Sequence, residues 1–220
     1  MKTKLLSIAM MVAFIMTAMT KVQAQNFEGP CLPSMHGLDD HQSAFCGSTQ
    51  TIALQSGVNW VSFCVETSLD DLKAALLGAT GSQQAITIQS QTVNTTYNPS
   101  SHRWGGRLNA IDLSKMYKVT VAAACEITVE GMRIGLSAHP ATIQNGANWI
   151  AFPLSESMTP TNAFAGFAVN GDKVQSQSSN ANYNGSRWTG RLTTLEPGKG
   201  YIYQSNVSGP RTLVFPTSAK

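Results

Sequence analysis

The chain has 220 residues, of which 42% are hydrophobic and only 12% charged, with a formal net charge of +3. Three of its 15 basic residues, Lys2, Lys4 and Lys21, fall in the first 24 positions, so the remaining 12 balance 12 acidic ones. That balance gives no electrostatic case for nucleic acid or an anionic membrane as partner, and the supply of Trp, Phe, Ile, Val and Leu argues against wholesale disorder.

Residues 1–24 read as a secretory signal peptide. Met1-Lys2-Thr3-Lys4 is a short basic start, Leu5 to about Met19 is apolar, and Val22-Gln23-Ala24 is a small-x-small cleavage pattern, which makes Gln25 the first mature residue. The run is too short and too polar at its end for a spanning helix of about 20 apolar residues. No cysteine follows Ala24, and no later segment is apolar enough to cross a bilayer. The protein is therefore expected to be exported, to periplasm, cell surface or medium, without membrane insertion after cleavage.

Residues 25–49 form a leader with Cys31 and Cys46. Within it, His36, Asp39, Asp40 and His41 crowd together. A divalent cation is one reading, but the spacing matches no standard ligand set. The segment reads instead as a polar loop inside a Cys31–Cys46 bridge, and no metal or cofactor is expected.

From residue 50 onward the chain matches itself. Leu54-Gln55-Ser56-Gly57-Val58-Asn59-Trp60-Val61-Ser62-Phe63 aligns with Ile143-Gln144-Asn145-Gly146-Ala147-Asn148-Trp149-Ile150-Ala151-Phe152. Gln89-Ser90-Gln91 aligns with Gln175-Ser176-Gln177, and Tyr97-Asn98 with Tyr183-Asn184. Arg103-Trp104-Gly105-Gly106-Arg107-Leu108 aligns with Arg187-Trp188-Thr189-Gly190-Arg191-Leu192, and Tyr117 with Tyr201. Four blocks in one order mean a duplication. Module 1 spans 50–130, a linker 131–140, and module 2 spans 141–216. Copy one carries two small insertions, near Gly78 to Gly81 and after Tyr97, where loops tolerate them.

Each copy predicts a small, mainly β (α+β) module with one short helix. A strand at Thr51–Gln55 turns through glycine into Asn59–Val65, where Val61, Phe63 and Val65 alternate with Trp60, Ser62 and Cys64. Ser68 and Asp71 form a capping box for a helix that carries Leu69, Leu72, Leu76 and Leu77 on one face. In copy two Thr159 caps, Pro160 takes the first helical position and Phe164 and Phe167 face inwards. Central strands follow at Ala85–Gln91 and Asp172–Gln177, then the Arg-Trp strands and the Tyr strands. Pro197-Gly198 suits a type II turn. Strands near Glu126–Val129 and Thr212–Phe215 close the copies. The short linker predicts modules that pack together.

Four cysteines in an exported chain point to disulfides, and Cys-x-x-Cys metal spacing is absent. Copy two lacks both Cys64, which aligns with Pro153, and Cys125, which falls against the loop around Ser208 and Gly209. Their joint absence favours Cys64–Cys125, leaving Cys31–Cys46.

The candidate binding residues are Arg103, Trp104, Arg107 and Tyr97 in copy one, with Arg187, Trp188, Arg191 and Tyr183 in copy two. Two readings compete. In one, the tryptophans are core residues and the arginines a solvated face. In the other, exposed Trp or Tyr stacks on sugar rings, with Arg, Asn and Gln as hydrogen-bonding partners. The polar series from Gln89 to Asn98 and from Gln175 to Asn184 is either a ligand rim or a solvated strand face with turns. No catalytic residue is assigned: His102 and His139 stand singly, and neither a Gly-x-Ser-x-Gly elbow nor a His-Glu-x-x-His motif occurs. The carboxylates of copy two are Glu156, Asp172 and Glu196.

Asn148-Trp149-Ile150-Ala151-Phe152, Val174-Gln175-Ser176-Gln177, Arg187-Trp188-Thr189-Gly190-Arg191-Leu192 and Leu195-Glu196-Pro197-Gly198-Lys199-Gly200-Tyr201-Ile202-Tyr203 together resemble the tandem modules of secreted and cell-surface repeat proteins of Bacteroidetes. Copy one departs at the Pro-Gly turn and resembles a sister version of the module. The resemblance covers most of residues 50–216. It implies a secreted or surface building block and assigns no activity. The sequence thus predicts a non-catalytic interaction or structural protein whose partner is a protein or a glycan. A carbohydrate-binding protein is the alternative, and a hydrolase a distant third.

Overall fold

Side chains that alternate between apolar and polar become strands that alternate between buried and exposed. In the computed structural model, which describes residues 48–217, β1 (Ser48–Leu54) buries Gln50, Ile52 and Leu54 and exposes the residues between them. The rest of the first module is β2 (Gly57–Val61), α1 (Leu69–Thr80), β3 (Ile86–Gln89), β4 (Asn94–Asn98), β5 (Arg103–Gly106), β6 (Tyr117–Val121) and β7 (Cys125–Gly131). The second is β8 (Ala141–Ile143), β9 (Gly146–Ile150), α2 (Pro160–Ala163), β10 (Lys173–Gln175), β11 (Asn180–Tyr183), β12 (Trp188–Gly190), β13 (Tyr201–Ser205) and β14 (Arg211–Leu213). The signal segment, the leader, the His36–His41 cluster and the Cys31–Cys46 pair lie outside the described residues.

The two halves have one topology. A five-stranded sheet runs β2-β6-β3-β4-β5 in the first and β9-β13-β10-β11-β12 in the second, and a two-stranded ribbon pairs first with last, β1 with β7 and β8 with β14. The same order in both halves is what a duplicated module predicts, and the fold is mainly β as expected. Each half has its own core. Phe63, Leu72, Ile88 and Tyr117 centre the first. Phe152, Phe164, Leu195 and Tyr203 centre the second. Burying one such aromatic or aliphatic side chain contributes roughly 1.5–3 kcal/mol.

The helices begin as their caps dictate and end where their apolar stripes run out. Ser68 and Asp71 form the reciprocal capping box, and α1 buries Leu69, Leu72 and Leu76 over 12 residues. Thr159 caps α2 with Pro160 at its start, but α2 lasts only 4 residues. In place of a leucine stripe the second module uses Phe164, whose ring packs 4.9 Å from Tyr203 and 5.9 Å from Phe215 between centroids; Phe167 is half-buried beside it.

Two expectations are corrected. The 131–140 segment is not all linker: Glu66 N–H donates to the Met132 carbonyl, Ile134 N–H donates to the Cys64 carbonyl, and Val65 bridges Arg133. The first module therefore holds the chain to Ile134. Nor do Cys64 and Cys125 pair; both are free. Cys125 sits opposite Leu54 at one end of the β1–β7 ribbon. Cys64 lies near the other end, its N–H on the Gln50 side chain. Gln50 and Leu54 are four strand steps apart, about 13 Å at 3.3 Å each, beyond the reach of a disulfide. The ladders also show why joint absence misled. Leu54 opposite Cys125 matches Ile143 opposite Arg211, so the counterpart of Cys125 is Arg211, not the Ser208–Gly209 loop. Burial raises the pKa of both thiols; for Cys64, nearby Arg133 and a backbone hydrogen bond offset part of it.

Candidate functional site

The site is made by the way the modules join. β2 and β9 are each the edge strand of a five-stranded sheet, and an open edge is a template for further pairing. Here each edge is covered by the other module. The Gln177 side chain accepts from Trp60 N–H at 3.0 Å and donates to the Val58 carbonyl at 2.6 Å. Its counterpart Gln91 accepts from Trp149 N–H at 3.1 Å and donates to the Ala147 carbonyl at 3.0 Å. Ser62 N–H donates to the Gly198 carbonyl, and its counterpart Ala151 N–H donates to Ser114, the counterpart of Gly198. Equivalent residues thus exchange equivalent bonds, which defines a two-fold, isologous junction.

On that pseudo-axis Met116 meets its own counterpart, Gly200. A Cβ at Gly200 would lie 2.4 Å from the Met116 Cβ and 3.0 Å from the Val61 carbonyl. Met116 is fully buried there. Lys118 also lies at the seam, its Nζ 5.1 Å from the Trp60 ring centre and 4.5 Å from that of Trp149. Replacing Gln177 or Gln91 by alanine removes a two-bond clamp and is expected to lower stability by about 1–2 kcal/mol each, read as a shift of the urea unfolding midpoint.

The junction leaves a cleft of about 480 Å³ between the β1–β2 turn of module 1 and the loops of module 2. Gln55 and Trp60 line one side; Gln177, Ser178, Arg191, Thr194, Glu196 and Lys199 line the other. Its shape follows from buried polar groups. Asn59 accepts from Gln55 N–H and donates to the Gln55 and Gly57 carbonyls, which fixes the turn that carries Gln55; Asn148 repeats this in module 2. Ser176 accepts from Ser178 and Ser179 N–H and so shapes the opposite loop. Tyr201, at the base, accepts from Glu196 N–H at 2.7 Å. Burial pushes its phenol up to about 12; the Glu196 N–H bond pulls the other way and the Glu196 charge adds to the rise. The phenol is neutral at ordinary pH.

The candidate residues read from sequence are only partly brought together. Trp104 and Trp188 are half-buried and pack on their module cores. Trp104 lies 5.5 Å from Tyr97, and Trp188 lies 5.3 Å from Tyr183 and 5.5 Å from Phe164. Tyr97 is buried, with its hydroxyl on His102 Nδ1 at 3.1 Å, and Tyr183 is half-buried. Arg103, Arg107 and Arg187 are exposed. Of the eight, Arg191 alone lines the cleft. Sequence reasoning missed Trp60, Glu196 and Lys199 as site residues, whereas Gln177 fell within the polar series weighed as a ligand rim. The signal was present, since the Asn-Trp and Ser-Gln blocks are among the best repeated, but their meeting across the junction is not local in the chain.

The polar series divides by role. Gln91 and Gln177 close the seam, Ser90 and Ser176 order turns, and Asn98 and Asn184 cap the turns after β4 and β11. Gln175, Asn180 and Asn182 line a shallow depression of about 350 Å³ on the outer sheet face. A third groove, about 430 Å³, runs between Ile134–Ser137 and Pro153–Ser155 past Cys64 and Phe215. Of the copy-two carboxylates, Asp172 is fully buried and paired with Arg211 at 3.0 Å, while Glu156 and Glu196 are exposed. Among the described residues no helix is long and apolar enough to cross a membrane. No protein-family model, no curated protein and no solved structure matches this chain.

Proposed function

We propose that the protein is an exported, non-catalytic binding and scaffold protein that meets its partner at the cleft between its modules. One observation carries this reading. The best-repeated polar and aromatic residues, Trp60, Gln177 and Arg191, meet at the junction and wall a polar cleft of ligand size there. The histidines His102 and His139 have no counterpart in the other copy, and no catalytic motif is repeated between the copies. The signal-like first 24 residues and the likeness to Bacteroidetes surface repeat modules support export.

Intact-mass and N-terminal analysis of the protein from its native cells is expected to find it outside the cytoplasm, beginning at Gln25. A cytoplasmic protein that retains Met1 would remove the export half of this reading. Release of products from polysaccharide, peptide or ester panels would remove the non-catalytic half.

A further inference from the structure

We propose that the inter-module cleft takes a carbohydrate, with a sugar ring against Trp60 and its hydroxyls held by Arg191, Glu196, Gln55 and Ser178. This rests on the binding role proposed above and names the ligand class. The cleft volume of about 480 Å³ is within the roughly 300–1,000 Å³ usual for small-ligand sites. The wall chemistry then selects. A sugar hydroxyl both donates and accepts. Arg191 offers only donors, Glu196 only acceptors, and Gln55 and Ser178 both. An acidic ligand would meet Glu196, and a basic one Arg191 and Lys199. An uncharged polyol incurs neither repulsion and uses every group.

Two further features favour this cleft over its pseudo-symmetric counterpart. Among the described residues Glu196 has no ion-pair partner, whereas its counterpart Asp112 is held by Lys115 at 2.8 Å and by Ser114 at 2.6 Å. Gln177 and Gln91 hold the N–H of Trp60 and Trp149 alike, but the Trp60 carbonyl is also held across the junction, by Gly200 N–H. The indole is therefore presented from a rigid strand, which reduces the ordering cost of binding. Lys118 lies over the Trp60 ring but does not line the cleft.

The test is titration of the mature full chain with short gluco-, xylo-, manno- and galacto-oligosaccharides, followed by tryptophan fluorescence and calorimetry. At least one oligosaccharide is expected to bind. Trp60→Ala should weaken it at least about tenfold, equivalent to roughly 1.4 kcal/mol. Ser178→Tyr, on the exposed rim, should block the cleft to a similar degree without touching either core, and Arg103→Ala, on a distant edge strand, should leave affinity unchanged. If no oligosaccharide binds the folded protein, or if the Ser178→Tyr variant binds as wild type, the assignment is overturned. Cleavage of a bound oligosaccharide, seen by mass spectrometry, would overturn the non-catalytic reading while supporting this site.

Discussion

Replacing Asp172 by alanine is expected to lower stability by about 3–5 kcal/mol, the usual consequence of removing one member of a buried ion pair. Its carboxylate accepts from the Tyr203 hydroxyl at 2.6 Å, Arg211 at 3.0 Å, Val169 N–H at 3.1 Å and Asn206 N–H at 3.2 Å. Arg211 also stacks 4.3 Å from the Phe167 ring centre and donates to the Phe167 carbonyl and to Ser205. Alanine would leave a guanidinium and a phenol facing an empty buried site. In module 1 the positions of Asp172 and Tyr203 hold Ile86 and Val119, and both are fully buried.

The same network sets a pH dependence. Burial by itself raises the Asp172 pKa; the hydrogen bonds from Tyr203, Val169, Arg211 and Asn206 outweigh it and hold the carboxyl below its ordinary value. A carboxyl depressed in the folded state contributes stability above its unfolded pKa, about 3.9, and loses it as pH falls through the lower folded value. Wild type should therefore lose its advantage over Asp172→Ala as pH drops below about 4. A gap between their urea midpoints that stayed constant down to strong acid would contradict this account. Tyr203 moves the other way: burial, the bond to Asp172 and its charge all push the phenol up.

Gly190→Ala and Gly106→Ala are expected to be nearly as damaging. Their φ values are 143° and 139°, where side chains are strained, and that conformation alone costs on the order of 1–3 kcal/mol. In addition, a Cβ at Gly190 would lie 2.3 Å from the Asn180 carbonyl oxygen, and one at Gly106 would lie 2.3 Å from that of Asn94. These are backbone atoms in paired strands and have no rotamer to escape into. A total loss of about 3 kcal/mol or more is expected for each. Gly105 is the control: a Cβ there meets nothing within 4 Å, and Gly105→Ala should change the unfolding midpoint by less than about 0.5 kcal/mol equivalent. Copy two already carries Thr189 at that position. Equal effects at Gly105 and Gly106 would contradict the close approach.

That contrast illustrates what was legible in the chain. The Arg-Trp-x-Gly-Arg block showed that one glycine is repeated and its neighbour is not. It did not show that the repeated one lies against a carbonyl of the neighbouring strand it pairs with. Local features were legible: the alternation of Val61, Phe63 and Val65, the Ser68–Asp71 capping box, and the Thr159-Pro160 start. The extent of α2 was not, because a one-turn helix and a longer one begin alike and only packing around Phe164 decides. Trp104 and Trp188 drew attention because arginines flank them, yet their rings lean on the cores. Trp60 drew little, because the cleft exists only once β2 of one module lies under Gln177 of the other, 117 residues along the chain. Pairing of Cys64 with Cys125 failed for the same reason: alignment offsets do not measure distance along a ribbon.

The meeting of Met116 with Gly200 has a consequence for ancestry and assembly. Two identical subunits facing each other across a true dyad would place either two thioethers in one space or two hydrogens around a void. Two copies that have diverged, as these have, can instead set the bulky partner against the slender one. The junction is thus a directional fit beneath its symmetric bonds, and it biases each half towards its own sibling rather than towards a neighbouring molecule.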